Sequence, residues 1–202
     1  MRILLLAPQP FYEDRGTPIA VALVLKVLSE RGTPVDVVTY HEGRDVDLEH
    51  VTLHRIPRLP LVHGIRPGFS WKKLVCDVFV LLAALRLAAS RRYDLIHAVE
   101  EAVFIALLLK WIFRIPYVYD MDSSLAQQLT ERLPRLRPAM TILAACERLA
   151  LRHAAAVVPV CEALAAVAQR GHARKVVLLP DVSLLDGATD ELGRPAGDRH
   201  AV

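Results

Sequence analysis

Apolar runs and polar breaks alternate along this chain at intervals of roughly one strand and one helix. Residues 2–7 (RILLLA) form a short unbroken apolar run, the pattern of a strand buried on both faces of a parallel sheet. A helix-hostile segment follows from Pro8 to Gly16. Thr17 and Pro18 then read as a helix N-cap with proline at the first helical position. Nearly every residue from Ile19 to Leu28 is apolar, Ser29 to Arg31 end the helix in polar residues, and Gly32 can supply a left-handed cap. Val35 to Tyr40, rich in β-branched residues, and the alternating Val51 to Ile56 read as the second and third strands. Between Pro57 and Gly68, prolines and glycines mark a long irregular connection, and Trp71 to Arg92 reads as a long helix.

The same alternation continues to residue 180. Tyr93 to His97 is a short strand, Glu100 and Glu101 open a helix with negative charge at its positive dipole end, and Ile115 to Tyr119 is a fifth strand. Ser123 or Ser124 can cap a helix that Pro134 closes, and a further helix spans about Pro138 to Arg152. Ala154 to Pro159 is a sixth strand, Glu162 to Gln169 a helix closed by Gly171, and Lys175 to Leu179 a seventh strand stopped by Pro180. Strands alternating with helices predict an α/β doubly wound, Rossmann-like parallel sheet of about seven strands. From Asp181 the chain turns polar and loses periodicity, so one domain is expected over residues 1–182, with a linker or tail over 183–202.

Composition narrows the function classes. At 53% hydrophobic residues a well-buried core is expected, and the net charge of +3 suits an anionic small molecule or lipid surface at least as well as nucleic acid. With no RNP-like, zinc-finger or helix-turn-helix signature, nucleic-acid binding is not expected. Cys76, Cys146 and Cys161 are far apart in apolar helical surroundings, the usage of reduced structural thiols in a cytoplasmic protein. The residues before Pro8 are too few for a signal-peptide core, and charges interrupt the apolar stretches 74–89 and 102–119, so neither should span a bilayer. Lys72, Lys73, Arg58 and Arg66 near the long loop fit docking on anionic lipid or, more simply, a solvated helix end.

Parallel strands point their carboxyl ends one way, and ligands of open α/β sheets bind there. Three polar clusters should share that edge: Glu13 to Thr17, His97 with Glu100 and Glu101, and Asp120 with Asp122. Gly16 fits a phosphate-binding turn at a helix N-terminus or a plain turn glycine. His97 fits a catalytic base or a satisfied strand-end histidine. Asp120 and Asp122 flank Met121, so in extended geometry they point the same way. They could hold sugar hydroxyls, transfer protons, or act as turn and cap aspartates. Dinucleotide, P-loop and nucleophile-elbow motifs are absent, and the histidines are scattered singly, so no metal site is expected.

The order of these landmarks resembles the N-terminal, acceptor-side domain of retaining GT-B-fold glycosyltransferases of the family 4-like group. Residues 1–8 (MRILLLAP) with the glycine-bearing loop after them look like the family's opening, and residues 28–38 like its "L-x-x-x-G-H-x-V-x-V" segment. Residues 93–98 (YDLIHA) look like its "D-(I/V)-(I/V)-H-x-H" strand, residues 115–119 (IPYVY) like its "(I/V)-P-x-V" strand, and residues 175–180 like the approach to its interdomain hinge. In departure from the pattern, only Gly16 carries over from a glycine pair. Asp120 stands where a histidine is frequent, Cys161 where a serine is, and Asp181 and Val182 where an asparagine–glycine pair is.

The resemblance implies transfer of a sugar from a nucleotide-sugar co-substrate, UDP- or GDP-linked, to a hydroxyl of a glycan or lipid-linked acceptor, with no other cofactor. His97 and Asp120 would be catalytic, with Glu13, Arg15, Gly16, Thr17, Glu100, Glu101 and Asp122 binding substrate. It places the protein in the cytoplasm, with peripheral contact at the inner face of the membrane. It also implies a donor-binding C-terminal domain, expected in cis or in trans, without which this chain would be incomplete for catalysis. The alternatives are a non-catalytic binding or assembly subunit that pairs with a separate donor-binding chain, and a nucleotide-sugar epimerase of the same fold.

Overall fold

The computed structural model describes residues 1–11, 16–60, 62–65, 70–124 and 137–180. Within them, β1 (Ile3–Ala7), β2 (Val35–Thr39), β3 (Val51–Arg55), β4 (Leu95–Val99), β5 (Tyr117–Met121) and β6 (Ala156–Pro159) form one sheet in the order β3-β2-β1-β4-β5-β6. Every pairing is parallel. The helices are α1 (Gly16–Glu30), α2 (Trp71–Ser90), α3 (Ala102–Phe113), α4 (Arg137–His153) and α5 (Glu162–Arg170). This is the doubly wound, Rossmann-like α/β arrangement, with its switch point between β1 and β4.

The expected seventh strand is present only as an edge. Val176 makes an isolated parallel bridge to Val157, and the amides of Val157, Val177 and Leu179 bond the carbonyls of Lys175, Val157 and Pro159. The segment runs in register beside β6, but the ladder is too short to count as a strand, and Val177, Leu178 and Leu179 are exposed.

Strand alternation divides the core. Leu4 and Leu6 of β1, Ile96 and Ala98 of β4, and Tyr117, Tyr119 and Met121 of β5 face α2, α3 and α4. Ile3, Leu5 and Ala7 face α1, where Val21 and Leu25 cover them together with Val35, Val37 and Val99. Both faces being covered explains why β1 carries no polar residue: all five of its residues are buried. Gly32, at φ 64°, ends α1 in the left-handed region, and the hydroxyl of Ser70 caps α2 by accepting from the Lys73 amide.

Toward the amino edge, Asp36 of β2 is a structural carboxylate. It accepts from His54 Nε2 (2.7 Å), an Arg91 guanidinium nitrogen (2.7 Å) and the Tyr93 hydroxyl (3.0 Å). Burial alone would push its pKa up; the bonds from His54 and Tyr93 and the Arg91 charge outweigh this and hold it below the usual carboxylate range. A lowered carboxylate stabilises the fold above its unfolded pKa, and that stabilisation is lost as the pH falls through the native value. Tyr93→Phe is therefore expected to cost ~1.5 kcal/mol at neutral pH, with a smaller difference below about pH 4, by denaturant titration at both pH values.

Among the described residues Cys76 is buried, whereas Cys146 and Cys161 are exposed, so only the first sits in the apolar surroundings expected of all three. Cys161 stands at the N-cap of α5 rather than inside a helix. No helix among the described residues is long and apolar enough to cross a membrane.

Candidate functional site

Because all six strands are parallel, the loops after β1, β2, β4 and β5 leave from one rim of the sheet. His97 is the middle residue of β4 and lies in register with Leu5 on one side and Val118 on the other. Asp120, two residues beyond Val118, is thus a diagonal neighbour of His97 on the face covered by α1. His97 Nε2 lies 2.9 Å from Asp120 Oδ2, and the two side chains are only 16% and 11% exposed. A carboxylate accepts, so Nε2 carries the hydrogen and Nδ1 is left as the ring's proton acceptor.

The β1–α1 connection reaches the same rim. Gly16 opens α1 at φ 24°, and a Cβ there would meet nothing within 4 Å, so backbone conformation rather than space selects glycine. The first-turn amides of α1 have no intrahelical acceptors, and the turn carries no acidic residue of its own, the features of a helix start that attracts an anion. The Thr17 hydroxyl donates to Glu100 Oε1 (3.4 Å), tying the start of α1 to the exit of β4. Gln9 accepts from the Thr39 hydroxyl through its carbonyl, and its buried Nε2 has no partner among the described residues.

The turn from β4 into α3 carries two adjacent glutamates that bond each other and have different further partners. Glu100 adopts φ 49°, a left-handed conformation unusual for glutamate, with its amide donating to Asp120 O (3.0 Å). Glu100 joins Thr17 on the α1 face, while Glu101 pairs with Lys73 of α2. On the α2 face the Tyr40 hydroxyl donates to Asp77 Oδ1 at 2.5 Å.

Charge crowds this turn. Burial, with Glu101 and Asp122 beside it, pushes Glu100 up to about 7, although Lys73 pulls the other way. Burial likewise raises Asp77 to about 7, Glu101 adding to the effect while the Tyr40 bond and Lys73 oppose it. Burial works against the Lys73 ammonium, but the adjacent Glu101, with Glu100 and Asp77 near, holds its pKa above the ordinary lysine value.

The structure therefore brings together Thr17 with Glu100, His97 with Asp120, and Asp122 within electrostatic reach of Glu100. Gly16 adjoins Thr17; Glu13 and Arg15 lie outside the described residues. Glu100 and Glu101 precede α3 as expected, but Glu101, at its N-cap, makes no side-chain capping bond because its carboxylate is taken by Lys73. The Ser124 hydroxyl donates to Glu147 at 2.9 Å, and the helix that Ser123 or Ser124 was expected to cap lies outside the described residues. Lys73 is 14% exposed, so it does not belong to a solvated basic helix end.

Sequence reasoning missed Tyr40, Lys73 and Asp77 as rim residues. A lone acid inside the apolar run of α2 was the available signal for Asp77, since an unpaired charge in such a run must find a partner or protonate. The spacing of His41 and His63 gives no ligand motif, yet the fold places both beside Glu42.

A family model described as a glycosyl transferase 4-like domain matches residues 15–181. No curated protein sequence matches the chain. Among solved structures, a sucrose-phosphate synthase from Thermosynechococcus elongatus aligns at 18% identity and TM-score 0.65, covering 96% of this chain and 53% of that one. A UGT transferase from Siraitia grosvenorii in complex with UDP aligns at 12% identity and TM-score 0.55, covering 95% and 55%. Arabidopsis thaliana UGT89C1 complexed with UDP-L-rhamnose aligns at 14% identity and TM-score 0.52, covering 91% and 52%. The chain spans about half the length of these structures, and the likeness is one of fold.

Proposed function

Because this chain belongs to the family of glycosyl transferase 4-like domains, we propose that it is the N-terminal, acceptor-side half of a retaining glycosyltransferase, working with a donor-binding domain in cis or in trans. The observation that carries the reading is the polar rim: His97–Asp120 and Thr17–Glu100 converge at the carboxyl edge of a parallel sheet, where this topology binds ligands. UDP and UDP-L-rhamnose, each in complex with a protein of similar fold, support a nucleotide-sugar co-substrate.

In this reading an acceptor hydroxyl, on a glycan or a lipid-linked sugar, lies against His97 and Asp120. Its oxygen bonds the anomeric carbon as the bond to the donor diphosphate breaks, and its proton passes to His97 Nδ1 or to the departing phosphate. Asp120 orients the ring and stabilises the imidazolium. Amides at the start of α1 near Gly16 contribute to stabilising the leaving diphosphate. Substrate binding by Glu13, Arg15, Glu101 and Asp122 is carried over from the family resemblance, and Glu100, with its pKa near neutrality, can give or take a hydrogen bond to the acceptor.

Calorimetric titration of UDP- and GDP-sugars and of lipid-linked acceptors, into this chain and into a two-domain version, tests the reading. Acceptors are expected to bind both, donors to bind tightly only the longer form. Donor binding to the short chain as tight as to the long one would overturn it.

Peripheral contact with the inner face of the membrane is part of the same proposal. Trp71, Leu74, Val78 and Leu82 form an exposed apolar row along α2 at helical spacing, with Arg86 one turn beyond. Such a row beside basic residues suits an anionic lipid surface. Co-flotation with phosphatidylglycerol vesicles is expected for the protein and lost in Trp71→Ser/Leu74→Ser; equal flotation of both would remove this part.

A further inference from the structure

His41, Glu42 and His63 lie at the exit of β2 and in the connection to α2, on the same rim but separate from the His97–Asp120 and Thr17–Glu100 pairs. Each offers one ligand atom, and these atoms lie within 4.8 Å of one another. The two imidazole rings meet edge to face with centroids 6.5 Å apart. We propose that these three side chains bind a divalent transition-metal ion of borderline softness, represented by Zn²⁺, which clips the β2 exit to the loop before α2.

Two imidazoles and a carboxylate are a donor set suited to Zn²⁺, with a position left for water. The surroundings have the organisation that metal ligands require. His41 Nε2 lies 2.9 Å from the Val62 carbonyl, which can only accept. With Nε2 donating to that carbonyl, Nδ1 is the nitrogen left for a metal, and it is buried with no hydrogen-bond partner among the described residues. Histidines that bind metals through one nitrogen commonly anchor the other to a carbonyl in this way. Glu42 accepts from the amides of Gly64 (2.7 Å) and Ile65 (3.0 Å), one on each oxygen, which orients the carboxylate and leaves further lone pairs.

Both halves of the site are held independently of any ion. Arg55 donates to the carbonyls of Tyr40, Glu42 and Arg44 and to the Asp45 carboxylate, fixing the turn that carries His41. Gly43 packs on the Phe11 backbone so closely that a Cβ there would lie 2.2 Å from the Phe11 carbonyl oxygen. On the other side Val62 and Ile65 are buried, and Lys72 Nζ donates to His63 O at 2.6 Å. The exposed His63 ring is the member able to swing inward; tetrahedral ligands ~2 Å from zinc lie nearer to each other than 4.8 Å.

The test is titration of Zn²⁺, and of Co²⁺ followed by its visible d–d absorption, into the tag-free, chelator-treated full chain. One equivalent is expected, with tetrahedral-type cobalt absorption and a zinc-dependent rise in unfolding temperature. His63→Ala, an exposed change that leaves the fold in place, is expected to weaken zinc by ~10–100-fold or more and to abolish the thermal shift, and Glu42→Gln to weaken it also. Undiminished zinc affinity in His63→Ala, or no binding at micromolar zinc, would overturn the proposal.

Discussion

Asp120→Asn is expected to lower the rate of sugar transfer by ~10²–10⁴-fold while leaving acceptor affinity within a few-fold of the parent. The size follows from what the carboxylate does for its partner. Asp120 lies 2.9 Å from His97 Nε2, so it sets which ring nitrogen holds the hydrogen and counters the positive charge formed when Nδ1 takes a proton. Asparagine retains the shape and can still accept from Nε2, but it supplies no charge. His97→Ala is expected to lose a similar factor, and the double variant little more, because two residues acting as one unit do not give additive losses. The assay is release of nucleoside diphosphate by the two-domain version proposed above, read with its pH profile. A loss under about tenfold for both single variants, with unchanged pH dependence, would assign the pair to structure alone.

The sheet was legible because burial on both faces leaves a plain mark. The apolar run at residues 3–7 and the β-branched run at 35–39 admit few other readings. The helices between most strands favour parallel pairing, which β2 and β3 adopt even with no helix between them. The seventh strand was the exception: residues 175–179 have strand composition, but composition does not say whether a neighbour lies beyond the edge, and only an isolated bridge forms. Strand direction put His97 and Asp120 on one edge, but their bond to each other depends on the diagonal register of β4 and β5, which sequence does not show. What sequence could not show was the partition at Glu100 and Glu101. Adjacent glutamates at a helix start read alike as dipole partners, and only the left-handed turn at Glu100 sends one toward Thr17 and the other toward Lys73. The His41–Glu42–His63 grouping was hidden for a related reason, since loop closure across the 57–70 connection has no periodicity to read.

The stability of this chain is expected to fall as the pH rises from about 5 to 8, and Asp77→Asn is expected to remove much of that fall. Asp77 titrates near 7 instead of 3.8 and Glu100 near 7 instead of 4.5. Between those limits the native state holds more protons than the unfolded chain, so raising the pH favours unfolding. Asp36 and Glu42 act with the opposite sign, because their lowered pKa values stabilise the fold above the unfolded value and are lost only in stronger acid. The optimum therefore lies on the acid side of neutrality. The Asp77 displacement of about three pH units corresponds to ~4 kcal/mol at most, and screening around the rim reduces the expected gain at pH 8 to ~2 kcal/mol. The amide oxygen of the introduced asparagine would keep an acceptor for the Tyr40 hydroxyl, so the 2.5 Å bond need not be lost. Denaturant titrations at pH 5, 6.5 and 8 decide the matter: parallel pH slopes for the parent and Asp77→Asn would refute it. A rim that holds carboxylates at such a cost is one that a bound polyol can relieve, by adding shorter hydroxyl bonds to Glu100 than the 3.4 Å one from Thr17. The same crowding that destabilises the empty domain would then favour its acceptor.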